Sequence, residues 1–279
     1  WDPDQELYDA SITRIVMADW YALKDPRQFY YNSYTLTRAR QQETTEANFS
    51  FVESRGLAGL PTDHLRASAR NGLPLRHAAW GSNQHNSFIC GYGYGATFTQ
   101  PCMYHAMDNL GIAQYLSRLG LLLGDGGALD AGKRAWLNDA AWQPLRRYVE
   151  DCLVVRDPSE LFVAQNVALD GLLYPLIYER IVDEHLSAKG GSAVAMLCQF
   201  MNDWFAETRK WVDAVLKVAA AESGHNRDQL AAWTRDWSSR AASALLPVVE
   251  LALGPNADEA LTKYVAAFSA RITKAGVPV

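Results

Sequence analysis

The sequence predicts an all-α protein built as a bundle of long helices, and three observations carry that expectation. Apolar residues recur at helical spacing in long runs, helix start and stop signals fall between those runs, and no alternating strand pattern of useful length occurs. No internal repeat is visible either. A chain of 279 residues can bury a large core, so one helical domain over 37–279 is expected, preceded by an aromatic-rich extended arm over 1–36.

The arm carries Pro3, Pro26 and many aromatics without a sustained helical period, which predicts extended chain with short turns. A chain of that kind must lie on something, and Trp1, Trp20, Phe29, Tyr30, Tyr31 and Tyr34 are the candidate contacts to a partner. From Thr35 to Glu53 the pattern turns helical and runs to Gly56, a natural residue just past a helix end. Pro61-Thr62-Asp63 is a start signal for helical pattern over 64–90, which Gly91, Gly93 and Gly95 interrupt. A second run over 97–123 stops at Gly124-Asp125-Gly126-Gly127, and two shorter helices are expected within 130–156.

Asp157-Pro158-Ser159-Glu160 then supplies an N-cap, a proline at the first helical position and an acid at the third. The helix it opens reaches about Ser187, roughly 45 Å long at about 1.5 Å per residue. Pro175 inside it predicts a kink near Gly171. Apolar residues from Phe162 through Ile177 nearly encircle this helix, so it should be central and buried. After Gly190-Gly191-Ser192 a long helix runs from Ala193 to Glu222 and stops at Gly224. Two more follow, over 227–253 and 256–275, separated by Gly254-Pro255.

Composition excludes several function classes. A net charge of −5 and a pI near 5.7 argue against a phosphate-neutralising surface, so nucleic acid is not an expected partner. The longest apolar runs fall short of a membrane span, and no signal-peptide pattern opens the chain. Cys90, Cys102, Cys152 and Cys198 form no CxxC pair and sit in apolar helical stretches, which fits reduced thiols in a cytoplasmic protein. The chain opens on Trp1 rather than Met, so further residues are expected ahead of it.

A bundle of long helices raises the question of a di-iron site, in which two helices each give a Glu and two others each give a Glu-x-x-His pair. Of six histidines only His225 has a glutamate three residues earlier, Glu222, and Gly224 between them places the pair at a helix end. From His64 to Gly124 the one carboxylate is Asp108, and at Glu207-Thr208-Arg209-Lys210 a cation occupies the histidine slot, which suits an ion pair or a solvated face. His77 and His85 stand eight residues apart, about 12 Å of helix rise, too far for one ion; with His105 they read as hydrogen-bonded structural histidines. Gly91-Tyr92-Gly93-Tyr94-Gly95 is not a dinucleotide loop, no GxSxG occurs, and Cys102 with His105 lacks a recognisable oxyanion site. Glu150-Asp151 and Asp183-Glu184 are adjacent acids that point to different faces, and Trp204 with Trp211, like Trp233 with Trp237, reads as core or subunit contact. No catalytic, cofactor-binding or metal residue is therefore expected in this chain.

Several stretches together resemble one known family. They are Trp1-Asp2-Pro3, Asp25-Pro26-Arg27-Gln28-Phe29-Tyr30-Tyr31, AMDNLGIAQYLSRLGLLL at 106–123, LRRYVED at 145–151, AQNVALDGLLYPLIYERI at 164–181 and WFAETRKWVDA at 204–214. Spread over nearly the whole chain, they resemble the β subunit of the oxygenase component of bacterial multicomponent phenol hydroxylases. The toluene and alkene monooxygenase β subunits are near neighbours. The resemblance implies a ferritin-like fold related to a catalytic α subunit but without its metal ligands. It further implies an (αβγ)2 complex in which α holds the di-iron centre, an NADH-dependent reductase supplies electrons and a small regulatory protein modulates turnover. This chain is then scaffold and partner surface for the conversion of phenols to catechols with O2. A self-contained di-iron oxygenase and a small-molecule-binding bundle are the alternatives.

Overall fold

The computed structural model describes residues 6–59 and 62–279, so Trp1 and Pro61 lie outside the described residues. Among the described residues there is no strand. The helices are α1 (Tyr31–Ser54), α2 (Asp63–Arg70), α3 (Leu75–Tyr92), α4 (Ala96–Asn138), α5 (Gln143–Cys152), α6 (Pro158–Leu186), α7 (Ser192–Glu222), α8 (Gly224–Leu253) and α9 (Ala257–Lys274).

The predicted end signals act through identifiable bonds. Asp157 Oδ1 accepts from the Ser159 and Glu160 N–H groups, at 2.8 and 3.2 Å, and opens α6. Gly56, Gly190 and Gly254 all have positive φ, at +64°, +92° and +54°, the backbone turn that ends α1, α6 and α8.

Four boundaries differ from expectation. α1 starts at Tyr31 rather than Thr35, because the Ser33 hydroxyl accepts the Tyr30 N–H at 3.0 Å and caps a turn that sequence pattern alone left extended. The run over 64–90 is two helices: Gly72 and Pro74 turn the chain, and Pro74, which lacks an N–H, stands at the head of α3. The glycine run after 123 interrupts α4 without ending it. Helical geometry fails at Gly124 and Asp125 (φ +62°), where Arg70 donates from Nε and Nη2 to the freed Leu123 carbonyl and Asp125 Oδ1 caps the Gly127 N–H. Ser223, not Gly224, separates α7 from α8; it is extended, and its Oγ accepts the Asn226 N–H.

α6 is the axis of the bundle. It contains a window apolar enough to cross a membrane, longer than the sequence reading allowed, but 94% of that window is buried, as in the core helix of a packed bundle. Its backbone widens to i→i+5 bonding over Val163–Leu169 and again over Pro175–Leu186. Pro175 stands at the start of the second widened segment. Around α6 the core includes Trp142, Trp204 and Trp211, all fully buried, with Trp233 and Trp237 close behind.

Candidate functional site

Two assemblies of polar and aromatic side chains stand out: one fastens the arm to the bundle, the other crosses the bundle centre. The arm is read in alternation. Thr13, Ile15 and Met17 are buried, while the intervening backbone groups are met by side chains. Arg14 N–H donates to Asp157 Oδ2 at 2.8 Å, and His225 Nε2 lies 3.0 Å from the Arg14 carbonyl. Val16 N–H donates to Asn226 Oδ1 at 3.0 Å while Asn226 Nδ2 donates to the Val16 carbonyl at 2.7 Å. Ala18 N–H donates to Glu222 Oε1 at 2.9 Å. Glu222 and His225, the single Glu-x-x-His pair of the sequence, thus hold backbone rather than facing one another across an ion.

Farther along the arm, Arg27 is almost enclosed. It pairs with Asp25 at 2.9 Å, reaches Glu207 at 3.6 Å and lies 5.0 Å from the ring centres of both Phe29 and Trp211. Beside it, Asp108 accepts four hydrogen bonds. Arg38 donates from Nε and Nη2 (2.8 and 2.7 Å), Tyr34 from its hydroxyl (2.8 Å) and Trp204 from Nε1 (2.8 Å). Glu207 completes the set at 3.1 Å from Arg38, so the acid read as an ordinary ion-pair partner sits in this network. Tyr34 also stacks on Tyr104, with centroids 4.3 Å apart.

These contacts sort the aromatic residues proposed for docking. Trp20 is buried against Tyr94 and Phe98, and a side chain at Gly95 (φ +86°) would strike its Cβ at 2.9 Å. Tyr34 is buried in the Asp108 network, and Phe29 is half-buried against Tyr34, Tyr104 and the two arginines. Tyr30 and Tyr31 remain, 60% and 66% exposed. A feature the sequence reading missed lies on α4: Met103, Met107 and Leu110 recur at i, i+4 and i+7, yet are 37%, 40% and 44% exposed. That spacing is the ordinary signal of a core face, so only the fold reveals that it points outward.

At the bundle centre a chain of hydrogen bonds links α3, α4 and α6. His85 Nδ1 lies 2.7 Å from Gln165 Oε1 and its Nε2 3.1 Å from the Val149 carbonyl. Gln165 Nε2 donates to Asp170 Oδ1 at 2.8 Å, and Asp170 Oδ2 is 3.0 Å from His105 Nε2. Asn86 and Asn166 exchange two amide hydrogen bonds alongside, and His105 packs on Trp204 and Trp211. Burial holds the His85 imidazole below its ordinary pKa, despite the opposing pull of Gln165 and Val149.

These donors do not fit a di-iron centre, which takes four carboxylates and two imidazoles in a bundle of this kind. Asp170 is the one carboxylate in the chain of bonds, Asp108 is committed to Arg38, Tyr34 and Trp204, and the buried polar side chains beside them include the amides of Asn86, Asn109 and Asn166 and the Ser82 hydroxyl. Among the described residues, no group of three or more His, Cys, Asp or Glu is placed to hold a metal ion. The thiols are equally unreactive by environment: Cys102, Cys152 and Cys198 are buried, and burial pushes Cys198 up to about 12.

Comparison with known proteins adds the following. Residues 1–223 match the family described as methane, phenol and alkene hydroxylases. The chain is 51% identical to an oxygenase component of phenol 2-monooxygenase from Pseudomonas sp. (strain CF600), over 99% of this chain and 83% of that one. It is 43% identical to an oxygenase component of phenol 2-monooxygenase from Acinetobacter pittii (strain PHEA-2), over 91% and 77%. Superposed on the crystal structure of xenon-pressurised phenol hydroxylase from Pseudomonas sp. OX1, it gives a TM-score of 0.94 at 40% identity, covering 100% of this chain and 85% of that one. A toluene 4-monooxygenase structure shares the fold at a TM-score of 0.80 and 20% identity, over 86% of this chain and 81% of that chain.

Proposed function

Because the chain belongs to the family of methane, phenol and alkene hydroxylases, we propose that it is the non-catalytic β subunit of a phenol hydroxylase oxygenase component. The ferritin-like bundle is that of the family's phenol hydroxylase. The observation that carries the β assignment is the bundle centre, where His85, Gln165, Asp170 and His105 bond to one another instead of presenting carboxylates and imidazoles to iron. In this reading a partner α subunit holds the di-iron centre that converts phenols to catechols with O2 and NADH-derived electrons. A small γ subunit completes an (αβγ)2 complex, and a reductase and a regulatory protein act on it in the cytoplasm.

The chain's own part is to hold a surface in shape. The arm is fastened by Asp157, Glu222, His225 and Asn226 and by the Arg27 and Arg38 ion pairs, and it delivers Tyr30 and Tyr31 to solvent. With Met103, Met107 and Leu110 on α4 they supply the aromatic and methionine side chains in which partner interfaces are enriched. The test is Tyr30→Ala with Tyr31→Ala, co-expressed with the neighbouring subunits and followed by sedimentation. The expected result is weaker assembly with turnover per iron unchanged in whatever complex forms. Unaltered assembly would remove the docking role of these two residues.

A further inference from the structure

An apolar cavity lies where α2, α4, α6, α7 and α8 meet, at the widened end of α6. Its walls are Leu116, Leu119, Ile177, Ile181, Val194 and Val248, and Leu251, 42% exposed, stands at its mouth. The widened backbone makes the room: Ile177, Ile181, Val182 and Leu186 share the lining because a turn bonded i→i+5 takes more residues than an α-turn.

Volume and polarity select the occupant. The cavity holds about 50 Å³, above the roughly 10–15 Å³ that admits one water and about a third of the roughly 150 Å³ apolar cavity known to take benzene. A phenol ring is therefore too large. Water is also a poor tenant, because it needs two to four polar partners. The lining offers Tyr178 and the Cys198 thiol, a weak partner, while Asn71 is exposed to solvent and the Ser68 hydroxyl is already bonded to the His64 carbonyl. A small apolar molecule, by contrast, gains dispersion contacts from aliphatic walls on every side. We propose that this cavity is a binding site for an apolar gas molecule of the size of dioxygen, reached from the surface past Leu251. The inference rests on the cavity alone and stands whether or not the chain is a β subunit.

Krypton, visible by its anomalous scattering, is the probe. Crystals of the protein in its native assembly, pressurised with krypton, should show a peak between Leu119, Ile181 and Val194. Ala69→Leu and Val194→Phe, each of which fills the cavity, should abolish that peak while krypton elsewhere in the same crystal persists. No peak at a pressure that fills other sites would overturn the proposal, as would a hydrogen-bonded water in its place or a peak unmoved by both substitutions. Should either filled variant fail to fold, the native protein and the other variant still decide. Phenol density in the cavity after soaking would overturn the size class.

Discussion

Replacing Asp108 with alanine tests how the arm is built into the bundle. The side chain is buried and accepts four hydrogen bonds, two from a guanidinium that is itself 13% exposed. Removing one partner of a buried ion pair costs about 3–5 kcal/mol, because the remaining charge stays buried without its counter-ion. Two factors modify that figure. Glu207 still faces Arg38 at 3.1 Å, and a groove lined by Tyr34, Arg38 and Asp108 lets water reach those groups, which lowers the cost. Trp204, fully buried, has no such access, and its orphaned N–H adds about 1–3 kcal/mol. The two nearly cancel, so we expect Asp108→Ala to lose about 3–5 kcal/mol, or about 6–20 °C in Tm at about 2–4 °C per kcal/mol. Urea unfolding followed by tryptophan fluorescence measures it, since Trp204 sits in the network. The double variant Arg38→Met Asp108→Leu should lose less than the two single losses added together. A single-variant loss below about 1 kcal/mol would refute the claim that these bonds fasten the arm to the bundle.

The arm's other fastening is testable at Asn226. Asn226→Ala strands the Val16 N–H and carbonyl and the Ala219 carbonyl; a stability loss of about 2–3 kcal/mol and faster proteolysis within residues 14–18 are expected, and unchanged protection would contradict the strap. His77 gives a pH signature. Burial first, then the Arg76 and Lys133 charges, lowers its imidazole from 6.5 to about 4, so the folded state favours the neutral ring that accepts from Arg76 Nε. The unfolded chain takes up the proton first as pH falls, so this stabilisation is whole above about pH 6.5 and is lost towards pH 4. Tm should fall between pH 6.5 and pH 5, before most carboxylates titrate, and fall less in His77→Gln; identical profiles would reject the assignment.

Much of this fold is written in local signals. The Asp157-Pro158-Ser159-Glu160 start, the left-handed glycines at 56, 190 and 254, and the encircling apolar pattern of 162–177 act over a few residues, and each appears where sequence reading put it. Signals weaker than a cap were misread: Gly72 and Pro74 are breakers, yet flanking helical pattern on both sides concealed the turn between α2 and α3. What holds the arm was not legible at all. Asp157 lies 143 residues from Arg14 and Asn226 lies 210 from Val16, and nothing local says that an asparagine beside a helix start will replace a neighbouring strand. For the same reason Glu222 and His225 could be doubted as ligands from their place at a helix end, but their actual partners could not be named.

The most direct test is iron content together with native mass, measured on the chain expressed alone and on the chain co-expressed with its neighbouring subunits. The β-subunit reading predicts a metal-free lone chain and iron confined to a large complex. Stoichiometric iron in the lone chain, with phenol hydroxylation, would contradict it.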